Sequence, residues 1–149
     1  MAETIILKGR ALAPGVVEGE ALVSKESLVW SHGVNPPTGK IVDVRVAVCG
    51  ECVKDKVLVY PLGKGSTASA TWILENTRCG NAPKAFINRE TELIILTGAV
   101  LSTELYGVTI PVVDRLDQDP IEVIETGDWV KVDGDHGIVE VTKRRGETT

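Results

Sequence analysis

The stretch of this sequence best suited to chemistry is Pro61-Leu62-Gly63-Lys64-Gly65-Ser66-Thr67. Two glycines flank a lysine, and two hydroxyl residues follow. Glycine lets a ligand approach the backbone closely. The apolar run KVLVY at 56–60 precedes the stretch and reads as a buried strand. A helical pattern follows it, from Ser66 to Cys79. A loop leading from the C-terminal end of a strand into a helix is where open α/β sheets bind ligands. The helix start supplies unpaired N–H groups and a partial positive charge, which suit a phosphate or a carboxylate. Lys64 adds a full charge. The spacing is not that of a Walker A loop, because Gly65 separates Lys64 from Ser66, and Ala68 breaks a G-x-G-x-x-G pattern. The residues point to an anion site. A capped helix after a tight turn would account for the same residues.

Three cysteines, Cys49, Cys52 and Cys79, are the other candidates for chemistry. Cys49 and Cys52 have C-x-x-C spacing, and three thiolates are the minimum for an iron–sulfur cluster with one open iron. The expected geometry opposes that use. Cys52 precedes the strand ending at Tyr60, and Cys79 closes the helix that begins near Ser66. Thirteen helical steps at about 1.5 Å each put Cys79 roughly 20 Å from Ser66. Free or buried thiols are the first reading, and a structural disulfide or a metal site the second. An odd cysteine count argues against a secreted disulfide framework.

Among the remaining polar residues, His32 lies in a turn-rich loop and His136 in a hairpin turn, and both are expected at the surface. Asn88 ends a strand on the same side as Ser66 and is a candidate to face the site. Asp114, Asp117 and Asp119 follow a short strand and are expected to be solvated. Trp30, Trp72 and Trp129 are expected to pack.

The elements that must position these groups follow from pattern and turn chemistry. Residues 4–24 read as two strands with a turn at Pro14-Gly15. Residues 31–40 form a loop, and 41–48 a strand of irregular character. After KVLVY comes the first helix, with Ser66 or Thr67 as N-cap and Gly80 past its end. KAFIN at 84–88 is a second buried strand. Thr91–Tyr106 reads as a helix capped by Thr91 and stopped by Gly107, and TIPVV at 109–113 as a third strand. Residues 128–141 form a hairpin around Asp133-Gly134. The order is strands, then βαβαβ, then a hairpin. That order implies a parallel sheet, with the flanking strands in a second sheet layer.

Composition narrows the function classes. With 149 residues the chain is long enough for one domain and one modest core. A net charge of −5 argues against nucleic acid as the main partner. The basic run Lys143-Arg144-Arg145 reads as part of a solvated tail. No apolar run reaches the roughly 18–20 residues of a membrane span, and Met1 to Arg10 lacks a signal-peptide core. These features lead us to expect a cytoplasmic protein.

Five stretches resemble one family: EGEALVS (18–24), GVNPPTG (33–39), DKVLVYPLGKGSTAS (55–69), NAPKAFINRETE (81–92) and TGDWVKVDGDHGIVEV (126–141). The chain resembles the small swivel subunit of aconitase-X-type dehydratases. The resemblance implies a three-layer β/β/α swivelling domain with a central parallel βαβαβ unit and a C-terminal hairpin, spanning 1–149 with a flexible tail at 142–149. It implies a hydro-lyase component that acts with a large partner subunit. That partner, not this chain, would hold a 4Fe–4S cluster. Ser66 takes the position of the family's proton acceptor. Gly63, Lys64, Gly65 and Thr67 would hold a small anionic substrate, with Gly33, Asn35 and Asn88 as further contacts. Asn35 stands where related enzymes carry Asp, so a charge-dependent role is not expected there. The phosphate-friendly loop favours mevalonate 5-phosphate as substrate over cis-3-hydroxy-L-proline.

The chemistry is compatible with that assignment. Dehydration of a 3-hydroxy acid removes a weakly acidic proton beside the carboxylate and expels hydroxide. A free serine is a poor base, and a helix N-terminus with a lysine nearby favours its alkoxide. Two rivals remain. The terminal hairpin also resembles that of mobile phosphohistidine domains, but no histidine stands between His32 and His136. A non-catalytic anion-binding module would use the same loop.

Overall fold

The structure, a computed structural model, describes residues 3–64 and 67–143. In chain order the strands and helices are β1 (Thr4–Lys8), β2 (Arg10–Ala13), β3 (Val16–Val23), β4 (Leu28–Val29), β5 (Val34–Asn35), β6 (Lys40–Ile41), β7 (Lys56–Tyr60), β8 (Gly63–Lys64), α1 (Ser69–Arg78), β9 (Ala85–Asn88), α2 (Leu93–Tyr106), β10 (Val112–Asp114), α3 (Pro120–Val123), β11 (Trp129–Asp133) and β12 (Ile138–Thr142).

Eight strands form one sheet in the order β1-β12-β11-β3-β7-β9-β10-β2. The central strands β3, β7, β9 and β10 run parallel, and β11, β12, β1 and β2 pair antiparallel. β1 and β2 lie at opposite ends of this order, yet only Gly9 separates them in the chain. The sheet must therefore roll until its edges meet.

Strand alternation fills both sides of the parallel strands. Val57 and Val59 of β7, Ala85 and Ile87 of β9 and Val113 of β10 face inward. There they pack with Leu7 of β1, Val130 and Val132 of β11, and Val139 and Val141 of β12. Leu58, Tyr60, Phe86 and Val112 point to the other side, against Ile73 of α1, Ile95 and Ala99 of α2, and Trp30. The result is three layers, antiparallel strands, parallel strands and helices, as expected. No helix among the described residues is long and apolar enough to cross a membrane.

Several expected boundaries move. Residues 4–24 hold three strands, because the chain changes edge at Gly9. Residues 41–48 are turns beyond Ile41. There Asp43 accepts from the Arg45 amide and Glu51 donates to the Val48 carbonyl. The first helix begins at Ser69, with Ala68 and not Ser66 or Thr67 as N-cap. Its end matches expectation: Gly80 has φ 81° and the Asn81 amide reaches back to the Asn76 carbonyl. The second helix begins at Leu93 with Glu92 as N-cap, and Thr91 bonds elsewhere. The third strand starts at Val112, after Pro111, whose missing N–H delays pairing. Helix α3 was not anticipated; Asp119 caps it and Pro120 occupies its first turn. The start of the expected tail is ordered, since Thr142 closes β12 and Lys143 Nζ lies 2.7 Å from Asp128 Oδ2. Residues 144–149 lie outside the described residues.

Candidate functional site

Gly65 and Ser66 lie outside the described residues, so the site is built from what surrounds them. The loop after β7 leaves the sheet at Tyr60. It forms β8, which pairs in parallel with β4: Leu28 stands opposite Gly63 and Val29 opposite Lys64. That pairing brings Leu28 and Val29 beside Gly63 and Lys64, just before the 33–39 stretch. Thr67 is an exposed turn residue before α1.

Gly63 is buried, and a Cβ there would meet Ile95 Cγ1 at 2.7 Å and Glu92 Oε1 at 2.8 Å. Gly33 is also buried, and a Cβ there would fall 1.8 Å from the Val29 carbonyl oxygen. At Gly33 the close backbone admits only glycine, whereas at Gly63 the Ile95 and Glu92 side chains would have to move to admit a Cβ. Gly33 thus lets its loop fold back onto β4, with the Gly33 amide donating to the Trp30 carbonyl at 3.1 Å.

Asn35 and Pro36 face Thr71, Trp72 and Glu75 of α1 across a cleft of about 350 Å³. The His32 ring packs on Trp72 with centroids 4.7 Å apart. The GVNPPTG stretch and the helix after PLGKGST therefore share one cleft.

The start of α1 suits an anion. Among the described residues no side chain caps it, and its first turn has no acidic residue. Its leading N–H groups have no partners within the helix. Ser69 Oγ, at the first helical position, is buried without a hydrogen-bond partner among the described residues.

Asn88 is fully buried, and its side chain bonds within the protein. Its Nδ2 donates to the Tyr60 carbonyl at 3.1 Å, and its Oδ1 accepts from the Thr91 hydroxyl at 3.0 Å. The Thr91 amide donates to Asp114 Oδ2 at 2.8 Å. This chain of bonds ties together the C-terminal ends of β7, β9 and β10 just below the loop. Sequence reasoning missed Asp114, expecting it solvated. It is fully buried, and Arg10 Nε and Nη2 reach its two oxygens at 2.8 Å each. Only the tertiary fold brings Arg10 to it, across 104 residues of sequence. Asp119 was also expected in solvent; it caps α3 and pairs with Arg89 at 2.9 Å. Asp117 is exposed. Glu92 is a second omission: it stands against Gly63, and burial pushes its carboxyl pKa upward. Its position at the start of α2 was the available signal.

Cys52 and Cys79 lie towards the end of α1 away from its start. Cys79 caps the far end of α1, about 15 Å along a helix of ten residues. Cys52 Sγ lies against Gly39, which also approaches Asn81, so Cys52 belongs to that same far end. All three thiols are free, and no described group of three or more His, Cys, Asp or Glu could hold a metal ion. The described residues do not fit an iron–sulfur cluster. Trp30 is buried and Trp72 half-buried, but Trp129 is 49% exposed, its Nε1 donating to Glu18. His32 and His136 are exposed, as expected.

Comparison with known proteins adds three findings. Residues 6–141 match the model of the aconitase X swivel domain. The chain is 43% identical over 141 residues to the phosphomevalonate dehydratase small subunit of Methanococcoides burtonii, covering 95% of this chain and 98% of that one. It is 40% identical to the subunit of the same name from Methanosarcina acetivorans, covering 95% and 94% respectively. Among solved structures, the crystal structure of Thermococcus kodakaraensis aconitase X (holo-form) superposes with a TM-score of 0.84. That structure is 38% identical, covering 93% of this chain and 99% of that one.

Proposed function

This chain belongs to the aconitase X swivel-domain family, and from that premise we propose that it is the small subunit of a cytoplasmic hydro-lyase converting mevalonate 5-phosphate to trans-anhydromevalonate 5-phosphate in an archaeal-type mevalonate pathway. The observation that carries this reading is the near full-length identity to relatives bearing the name phosphomevalonate dehydratase small subunit.

In this reading Ser66 accepts the proton. The C–H bond beside the substrate carboxylate breaks, its electron pair forms the C=C bond, and the C–O bond of the 3-hydroxyl breaks. The hydroxyl departs with its electrons and leaves as water after protonation. Ser66 returns its proton to solvent. The partial positive charge at the start of α1 and the charge of Lys64 lower the cost of the alkoxide. Gly63, Gly65 and Thr67 bring backbone donors to the anionic substrate. Gly33 and Asn35 would form the opposing wall, Asn35 offering an amide. Asn88 has its side chain committed to Tyr60 and Thr91, so we assign it to holding the loop.

Cys52 and Cys79 stand at the far end of α1, so we assign the 4Fe–4S cluster, and with it the departure of the hydroxyl, to the large subunit. The test is reconstitution. Purified chain and large subunit are mixed anaerobically and assayed with mevalonate 5-phosphate and with cis-3-hydroxy-L-proline. Turnover of the first on mixing supports the reading. Turnover of the second alone, or none with either, overturns it.

A further inference from the structure

Helix α2 is apolar on the wrong side. Its first nine residues, LIILTGAVL, carry no charge. Ile95, Gly98, Ala99 and Ser102 face inward and are buried. Leu93, Thr97 and Val100 face outward at helical spacing, with Leu93 72% and Val100 42% exposed. A surface helix ordinarily turns charged residues to water, and one that is hydrophobic all round belongs in an interior. The neighbouring α1 obeys that rule, with Thr71, Glu75 and Arg78 on its outer side. Both helices pack on the same face of the sheet, so the contrast is not one of layer.

The face begins at the candidate site. Leu62, 40% exposed, immediately precedes Gly63, and Gly63 packs against Glu92 and Ile95 at the start of α2. A protein that covers Gly63 must approach exposed Leu62 and, at the start of α2, exposed Leu93. A second copy seated there would obstruct the loop.

We propose that the outward face of α2 (Leu93, Thr97 and Val100), together with Leu62, is the surface on which the large subunit docks. This rests on the two-subunit reading given above. The partner contributes an apolar, uncharged patch that covers the helix and sets the loop against the partner's half of the site.

The test uses the full chain and the purified large subunit. Affinity is measured by calorimetry for wild type, for Leu93→Glu/Val100→Glu, and for Ile6→Glu, which changes an exposed apolar residue on β1 in the opposite layer. Hydrogen exchange is followed on the wild-type complex, so the answer does not depend on a variant folding. The double variant should bind at least about tenfold more weakly. Ile6→Glu should bind as wild type does, and residues 93–101 should be protected in the complex. Unchanged affinity of the double variant, or an unprotected α2, overturns the docking face while turnover on mixing still supports the two-subunit enzyme. If the double variant abolishes only self-association, the face belongs to a second copy and the proposal fails. Wild-type subunits that neither bind nor turn over sink the functional reading and this one together.

Discussion

Asp114→Asn probes the bond chain beneath the loop. The Asp114 carboxylate is fully buried and accepts from Arg10 Nε, Arg10 Nη2 and the Thr91 amide, each at 2.8 Å. Burial alone would raise its pKa. The Arg10 guanidinium and the Thr91 amide outweigh burial and hold the pKa below the usual carboxylate range. Asparagine keeps the volume and one acceptor, but its NH₂ must face a donor. One charge-assisted bond is lost outright and another is weakened. At about 1.5–3 kcal/mol for a bond to a charged group, the expected loss is about 2–3 kcal/mol near neutral pH. A folded pKa below the unfolded one means that the stabilisation is present above about pH 4. It is lost as pH falls through the folded pKa. The gap between wild type and variant should therefore close in acid. Urea unfolding at pH 7, 5, 4 and 3, followed by tryptophan fluorescence, measures it. Arg10→Met gives the opposite sign. With burial then dominant the Asp114 pKa should rise above its ordinary value, and that variant should lose stability as pH climbs from about 4. A gap under about 0.5 kcal/mol at pH 7, or one that persists unchanged at pH 3, would refute the reasoning.

Four further outcomes are expected. Ser66→Ala should abolish turnover of the reconstituted enzyme while leaving partner affinity intact; more than about a tenth of wild-type kcat, a loss under about 1.4 kcal/mol of barrier, would exclude Ser66 as the base. Lys64→Met should raise KM and move the ascending limb of the pH–rate profile to higher pH, because the alkoxide loses a stabilising charge; an unchanged KM and profile would leave the backbone alone as the anion site. Gly63→Ala, whose Cβ would stand 2.7 Å from Ile95 Cγ1, should displace the loop and cost about 1–3 kcal/mol of stability by thermal denaturation, with a fall in kcat/KM. The isolated chain, with Cys52 and Cys79 at the far end of α1 from the loop, should fold, show no cluster absorbance after anaerobic iron and sulfide treatment, and lack turnover.

Much of the frame was legible from local signals. KVLVY and KAFIN are continuous apolar runs, and a strand buried on both faces requires that pattern. The Gly80 and Gly107 stops marked helix ends because a left-handed residue there has a local steric cause. The glycine-rich stretch at 61–67 announced a strand-to-helix loop, and the five matching stretches carried the family. Helix starts were misplaced, because Ser66, Thr67 and Thr91 are all competent caps in isolation. The tertiary fold employs Thr91 to bond Asn88 and Asp114 instead.

What the sequence determined by itself was the alternation of apolar runs and breakers, hence the βαβαβ order, the hairpin and the position of the candidate loop. These depend on side-chain period and on turn sterics, which act over a few residues. The tertiary structure decided what depends on distant residues meeting. Rolling of the sheet at Gly9 brought Arg10 to Asp114 and turned a residue expected in water into a buried anchor. Pairing of β4 with β8 set Leu28 and Val29 beside Gly63 and Lys64, and packing set Asn35 and Pro36 across a cleft from α1. Packing of α2 on the sheet left Leu93 and Val100 of its uncharged first half facing outward. Each is a matter of long-range desolvation and close approach, which no local pattern encodes.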